Sequence, residues 1–193
     1  MGMGEPLDNY DNLTKSIEIL TSSWGMAMSP KRITVSTCGY LPKLKEFLDN
    51  TNVHLAISLH NIIPQEREQI MPIEKAYKIE DVLDLLKQYD WSGQRRLTFE
   101  YIVFKDLNDE YRHIFELVNK LSDIECRINL IRFHTIPNTI FKQADDKEMI
   151  KIRDLLTSKG LITTIRASRG EDIFAACGLL STKKISEQSI CKS

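Results

Sequence analysis

The sequence has few of the residues that build metal-bound or disulfide-linked folds. Its four cysteines, Cys38, Cys126, Cys177 and Cys191, are far apart and form no CxxC pair, so we expect free thiols and no metal site within this chain. No apolar run approaches the roughly 18 residues that a membrane span requires. Positions 1–6 show no basic region followed by an apolar stretch, as a signal peptide would. These absences predict a cytoplasmic protein with no membrane partner.

The sequence also lacks an excess of positive charge. It has 26 Lys and Arg residues against 27 Asp and Glu residues, whereas dedicated RNA-binding domains are usually basic. If RNA is a partner, a local patch or another region must supply the electrostatic attraction. The candidate phosphate contacts are Arg95, Arg96, Lys105 and Lys142, and ordinary solvated surface charge is the alternative for each. With 193 residues, of which 42% are apolar, the chain is long enough for one globular domain.

Apolar runs alternate with helical patterns, which predicts an α/β fold with a largely parallel sheet. The runs rich in β-branched and aromatic residues predict strands at 33–36, 54–60, 97–104, 127–133 and 161–166. The helical patterns predict helices at 10–23, 41–49, 79–89, 109–121 and 147–159, with Gly160 as a C-cap.

The first residues have the composition of a loop that leaves a strand, yet no strand precedes them. We therefore expect a domain over residues 1–181 whose N-terminal strands are missing from this chain, followed by a polar tail at 182–193 that frays. The alternative is a small complete domain with an extended N-terminus.

Four short segments fall at the ends of predicted strands, where β/α barrels build their active sites. Gly4 and Glu5 place a carboxylate beside backbone that can approach a ligand closely, although a simple turn would have the same sequence. Ser36 ends the next strand, where a hydroxyl can bind a ligand or cap the following helix. Two further strand ends carry the Ser58-Leu59-His60 segment, in which Ser58 and His60 face away from Leu59, and His134. A lone strand-end histidine is more often structural than a ligand contact.

Cys177 lies in the last recognisable segment, RGEDIFAACG, between Ala176 and Gly178. Small neighbours leave its sulfur accessible, and Arg166 or Arg169 could supply the positive setting that a reactive thiolate needs. The alternative is a small buried cysteine.

The series GMGEP, ITVST, LAISLH, QRRLTFEYIVF, RINLIRF and RGEDIFAACG, in this order, closely resembles the corresponding series in the RlmN/Cfr family of radical-SAM RNA methyltransferases. The resemblance runs from Met1 to about Ser181. It implies a partial (β/α) barrel of the radical-SAM type, monomeric in the full-length family. It also implies methylation of C2 of an adenosine in 23S rRNA, and of one in certain tRNAs.

The resemblance implies a role for individual residues. Gly4 and Glu5 would bind the methionine end of S-adenosylmethionine, and Ser36 with Ser58, Leu59 and His60 would line the same site. His134 falls where better-known members have Asn, and an imidazole can still donate or accept a hydrogen bond. Cys177 matches the cysteine that carries a methyl group on its sulfur before transfer to C2, since adenine C2 is a poor nucleophile.

One part of the family pattern is absent from this sequence. The CxxxCxxC motif that holds the family's [4Fe–4S] cluster does not occur, and none of the four cysteines has that spacing. The resemblance therefore predicts a chain that is inactive alone. A catalytically dead module that binds S-adenosylmethionine or RNA, and a Cfr-like enzyme that methylates C8, remain alternatives.

Overall fold

The computed structural model describes residues 4–134 and 139–167, and these form one sheet with helices. The six strands are β1 Thr34–Thr37, β2 His54–Ser58, β3 Leu97–Lys105, β4 Arg127–Arg132, β5 Lys142–Gln143 and β6 Ile162–Ile165. The six helices are α1 Tyr10–Thr21, α2 Leu41–Asn50, α3 Pro64–Ile70, α4 Ile79–Leu86, α5 Tyr111–Leu121 and α6 Asp146–Ser158. Short 3₁₀ turns cover Pro6–Asn9, Pro30–Arg32 and Pro72–Lys75.

The sheet has the order β1-β2-β3-β4-β6, and all of these pairs are parallel. The short β5 pairs antiparallel with the far end of β3. Strands that follow one another in sequence are therefore neighbours in space, with helices between them, as in the wall of a (β/α) barrel. This arrangement confirms the predicted α/β fold and the partial barrel.

The two faces of the sheet differ in polarity because strand side chains alternate. One face packs against the helices, and its buried apolar residues include Leu55, Ile57, Phe99, Ile128 and Leu130 from strands, and Phe47, Leu86, Leu117 and Ile152 from helices. The opposite face, here called the inner face, carries Ser36, Ser58, Thr98, Glu100, Asn129 and Thr164. The core thus lies on the helical side and leaves a polar surface on the other.

The predicted elements agree with the observed ones to within a few residues, with two omissions. The sequence patterns missed α3, whose sequence PQEREQI has little apolar periodicity, and β5, which is only two residues long. The strand predicted at 54–60 ends at Ser58, because His60 takes a left-handed conformation with φ of 55°. Gly160 has φ of 93° after α6, as its C-cap assignment predicts. No helix in residues 4–134 and 139–167 has the length and apolar character to cross a bilayer.

Candidate S-adenosylmethionine site

The carboxyl ends of the parallel strands are here called the carboxyl edge of the sheet. Glu5 lies there, at the end of β1. Oε1 of Glu5 accepts hydrogen bonds from the Thr37 hydroxyl at 2.7 Å and the Leu7 amide at 3.0 Å, and Oε2 accepts one from the Cys38 amide at 2.8 Å. The sequence predicted a carboxylate beside backbone that can approach a ligand, but not that backbone and side-chain contacts would hold both oxygens of Glu5. The carboxylate is consequently fixed at the strand end, and any ligand would meet it already oriented.

The hydroxyls at the end of β1 have different roles. Thr37 is buried, and its oxygen accepts from the Gly39 amide at 3.1 Å, so it organises the turn before α2. Ser36 is half-buried on the inner face, in register with Ala56 of β2. Neither hydroxyl caps α2, whose N-cap position is Tyr40 and has no side-chain cap hydrogen bond. Ser36 is the hydroxyl that a ligand on the inner face can reach.

Ser58 and Leu59 lie on opposite faces of the sheet as their alternation predicts, whereas His60 follows the end of β2 in a left-handed conformation. Leu59 is fully buried in the core, while Ser58 and His60 are half-buried. The Leu59 amide donates to the Glu100 carbonyl at 2.9 Å, and its carbonyl accepts from Arg67 at 3.0 Å. Because its side chain is in the core and both of its backbone groups are hydrogen-bonded, Leu59 fixes the position of the segment and does not face a ligand on the inner face.

His60 is held neutral at this edge. Its Nδ1 accepts from the Ile102 amide at 3.1 Å, and its carbonyl accepts from Asn108 Nδ2 at 2.6 Å. Burial, with a smaller contribution from the Arg67 charge, lowers the pKa of His60 to about 4. Because Nδ1 is an acceptor, a neutral imidazole carries its proton on Nε2 and can act as a donor there.

Arg67, on the helix that the sequence analysis missed, joins the ends of β1 and β2. Only 1% of Arg67 is exposed, and its guanidinium donates to the carbonyls of Cys38 at 3.1 Å, Ser58 at 3.0 Å and Leu59 at 3.0 Å. It also pairs with the fully buried Glu74 at 2.6 Å. The one sequence signal was Pro64, which suits the first position of a helix; the carbonyl partners come from other elements and left no local pattern.

Glu100 lies in the middle of the inner face, in register with Ser58 on one side and Asn129 on the other. Its Oε1 accepts from Arg166 at 3.3 Å, whereas Oε2 is buried without a hydrogen-bond partner among the described residues. Burial raises the pKa of this carboxyl, and the Arg166 charge opposes the rise. Glu100 stands within an apolar strand pattern, and no motif around it indicates a functional residue.

The remaining predicted residues are placed only in part. His134 follows β4 and is half-buried, next to Phe133, whose ring lies 4.9 Å from that of Phe104. Cys177 lies outside the described residues.

The described cysteines are poor nucleophiles. Burial, together with Glu5, raises the pKa of Cys38 to about 12, and burial raises that of Cys126 to about 12.

The predicted phosphate contacts separate into structural and exposed cations. Arg95 donates to the carbonyls of Val53 and Leu48 and stacks on Phe47 and Trp91, so the suggestion that it contacts phosphate is wrong. Lys142 pairs with Asp106 at 3.2 Å. Arg96 and Lys105 are exposed.

Comparison with known proteins identifies the family. Residues 1–118 match the model of the radical SAM superfamily. The chain belongs to that superfamily. It is 59% identical over 184 residues to a probable dual-specificity RNA methyltransferase RlmN of Parabacteroides distasonis, which covers 95% of this chain and 54% of the relative. The corresponding protein of Bacteroides thetaiotaomicron is 56% identical over 189 residues, covering 98% of this chain and 55% of the relative.

A solved structure supports the same assignment. A radical SAM methyltransferase from Sphaerobacter thermophilus superposes with a TM-score of 0.86 at 34% identity, covering 93% of this chain and 53% of that one. These similarities confirm the RlmN-type resemblance that the motif series predicted. The chain spans about half the length of the curated relatives it matches.

Proposed function

We propose that this chain is the part of an RlmN-type enzyme that binds S-adenosylmethionine and carries the methyl-accepting cysteine. The substrate in this proposal is RNA, and the product is an adenosine methylated at C2 in 23S rRNA, with tRNA as a second substrate. The observation that carries the proposal is the convergence of Glu5, Ser36 and the Ser58–His60 segment at one edge of the sheet. The sequence similarity to RlmN proteins supports the choice of reaction.

The polar groups at this edge suit the amino-acid end of S-adenosylmethionine. Its ammonium needs an acceptor, which the oriented carboxylate of Glu5 offers. Its carboxylate needs neutral donors, which the Ser36 and Ser58 hydroxyls and the Nε2–H group of His60 offer. The buried Oε2 of Glu100 is a further acceptor without a partner among residues 4–134 and 139–167. When bound, S-adenosylmethionine would supply the methyl group and the 5′-deoxyadenosyl group of the family's chemistry.

The family's [4Fe–4S] cluster does not fit the residues of this chain. Cluster assembly needs closely spaced cysteine thiolates, and Cys38, Cys126, Cys177 and Cys191 have no such spacing. No group of three or more potential metal ligands occurs in the described part either. We therefore assign no cluster ligand here and derive no step through the cluster.

Cys177 is the methyl-accepting residue in this proposal. As a thiolate it would take the methyl group on its sulfur and present it to adenine C2, which does not attack a methyl donor itself. Cys38 and Cys126 are unsuited to this role because their raised pKa values keep them as thiols at neutral pH. Of the two remaining cysteines, Cys177 and Cys191, only Cys177 lies in the segment that resembles the family's methyl-bearing motif.

A chimera tests the proposal. This chain replaces the matching 184-residue segment of the Parabacteroides distasonis relative, which supplies the rest of the enzyme. After anaerobic reconstitution, we expect 2-methyladenosine in 23S rRNA by nucleoside mass spectrometry, and an additional methyl group on Cys177 by peptide mass spectrometry. Cys177→Ala should abolish RNA methylation, and the matched control Cys38→Ala should leave activity.

The other outcomes have distinct meanings. Formation of 8-methyladenosine would replace the C2 assignment with a Cfr-like one. A chimera that binds S-adenosylhomocysteine but never methylates RNA would indicate a binding module without catalysis. Methylation by Cys177→Ala at the rate of the unsubstituted chimera would remove Cys177 from the mechanism.

A further inference from the structure

We propose that the opposite, amino edge of the sheet carries an RNA-docking surface, which we define by Lys31, Arg32, Arg96 and Arg127. All four side chains are exposed, and none forms an ion pair with a described residue. Many other cations of the described chain are paired, for example Arg112 with Glu66 and Lys120 with Glu80. A chain with a net charge of −1 thus keeps four cations without an ion pair near one edge, where the exposed Glu125 is a neighbour of Arg96 and Arg127.

The strand register brings these four residues together. Lys31 and Arg32 precede β1, Arg96 immediately precedes β3, and Arg127 begins β4 and is in register with Thr98. Since adjacent strands lie about 4.8 Å apart, the edge from β1 to β4 extends roughly 14 Å. An edge of that length can contact more than one phosphate of a single RNA strand.

His54 begins β2, which lies between β1 and β3 in the sheet, so it stands between Arg32 and Arg96. Its Nδ1 accepts from the Arg96 amide at 3.0 Å. Burial and the charges of Arg96, Lys31 and Arg127 lower the pKa of His54. The positive charges around the imidazole favour its neutral form. The positive field at this edge therefore comes from lysine and arginine side chains.

An exposed indole lies at the same edge. The loop from α1 to β1 must reach the amino edge, because it connects the end of a helix to the start of a strand. Trp24 in this loop is 68% exposed, and the loop is held by hydrogen bonds from Met26 N to Ile19 O at 3.1 Å and from Ala27 N to Ser22 O at 3.0 Å. An ordered, exposed indole at the same end of the sheet as unpaired cations suits single-stranded RNA, which binds by stacking and phosphate contacts.

On β1, β2 and β3 this surface precedes the candidate S-adenosylmethionine site along the strands, whereas Arg127 of β4 lies in the same register row as Ser36, through Ala56 and Thr98. On β3 the two surfaces are separated by the four residues from Arg96 to Glu100, which is roughly 13 Å at about 3.3 Å per residue. A structured RNA is long enough to contact the docking surface while another of its segments approaches the carboxyl edge. The choice of RNA as the partner rests on the proposed function; the cationic surface itself is independent of it.

Binding of a fluorescein-labelled 12-nucleotide single-stranded RNA to the 193-residue chain tests the inference, by anisotropy at several KCl concentrations. Each phosphate neutralised contributes about −0.7 to the slope of log K against log salt, so we expect a slope near −2.8. Lys31→Gln/Arg32→Gln should reduce its magnitude by roughly 1.4 and weaken binding about tenfold at low salt. The control Lys15→Gln/Lys147→Gln removes two cations that are also exposed, from α1 and α6, and should stay within about twofold of wild type.

Two further measurements complete the test. Trp24→Ala should weaken binding about fivefold without changing the salt slope, because stacking is not ionic. The same variants should bind S-adenosylhomocysteine as tightly as the wild type does. If the wild type does not bind S-adenosylhomocysteine, that result counts against the proposed function and not against the docking surface. The inference is overturned if the wild type binds no RNA, or if both double variants bind alike. Equal competition by polyglutamate of matched charge would also overturn it and assign the surface to an acidic protein.

Discussion

Arg67 fixes the geometry of the candidate site without being exposed to a ligand itself. One buried guanidinium serves three carbonyls from the ends of β1 and β2, and Glu74 balances its charge while also accepting from the Ile79 amide at 3.0 Å. A buried ion pair of this kind is no proof of net stabilisation, but removing one member leaves the other charge uncompensated. The residue therefore links the stability of the fold to the shape of the site.

Arg67→Met should lower the free energy of unfolding by about 3–5 kcal/mol, measured by urea denaturation. The double variant Arg67→Met/Glu74→Met should be less destabilised than the single variant, because no charge is left buried. The control is Arg112→Met, whose side chain is 55% exposed and should cost less than about 1 kcal/mol. Equal losses in Arg67→Met and Arg112→Met would contradict this account of the pair.

His60 makes the stability depend on pH. Its pKa is about 4 in the folded chain, below the ordinary value of 6.5, so the unfolded chain binds more protons between these values. The stabilisation is complete above pH 6.5 and is lost as the pH falls towards 4. His60→Asn should remove this term, since an amide oxygen can accept from Ile102 and asparagine tolerates a positive φ.

Between pH 7 and pH 5 the wild type should therefore lose about 1–2 kcal/mol more stability than His60→Asn. Denaturation at both pH values gives the comparison, and the remaining histidines are common to both proteins. Parallel losses in the two proteins would show that His60 already titrates normally when folded.

The elements followed from the sequence where periodicity was strong. The five parallel strands and five helices were predicted from apolar runs and helical spacing, as in α5, whose apolar face includes Ile114 and Leu117. The helix α3 was missed because polar residues fill it, although it carries Arg67. The contacts of Glu5 with Thr37 and Cys38 join residues 32 and 33 positions apart, which no local pattern specifies.

Hydrogen exchange should rank the strands by their position in the sheet. In the described chain β3 is bonded on both sides, by β2 and β4, whereas β1 is bonded only by β2. We expect β3 amides to exchange at least about tenfold more slowly than β1 amides, because an edge strand opens locally. Mass spectrometry of exchanged peptides measures this difference. If β1 amides are protected as strongly as β3 amides, the unpaired side of β1 is covered in solution.

At the scale of the whole molecule, the two ends of the parallel strands carry different kinds of polar groups. The carboxyl edge gathers an oriented carboxylate, two hydroxyls and a neutral imidazole, and the amino edge gathers unpaired cations. The sequence predicted the first group through its motifs and the second only as a requirement for a local patch. The net charge of −1 concealed that patch, since composition averages over both edges.

The central claim is that the carboxyl edge binds S-adenosylmethionine, and an NMR titration tests it most directly. S-adenosylhomocysteine, the stable product that remains after S-adenosylmethionine gives up its methyl group, is added to the ¹⁵N-labelled 193-residue chain while amide shifts are followed. We predict saturable shifts confined to Gly4 and Glu5, the end of β1 and the Ser58–His60 segment, with those at Lys31, Arg96 and α6 unchanged. An absence of saturable shifts, or their appearance on the helical face, would contradict the assignment of the site.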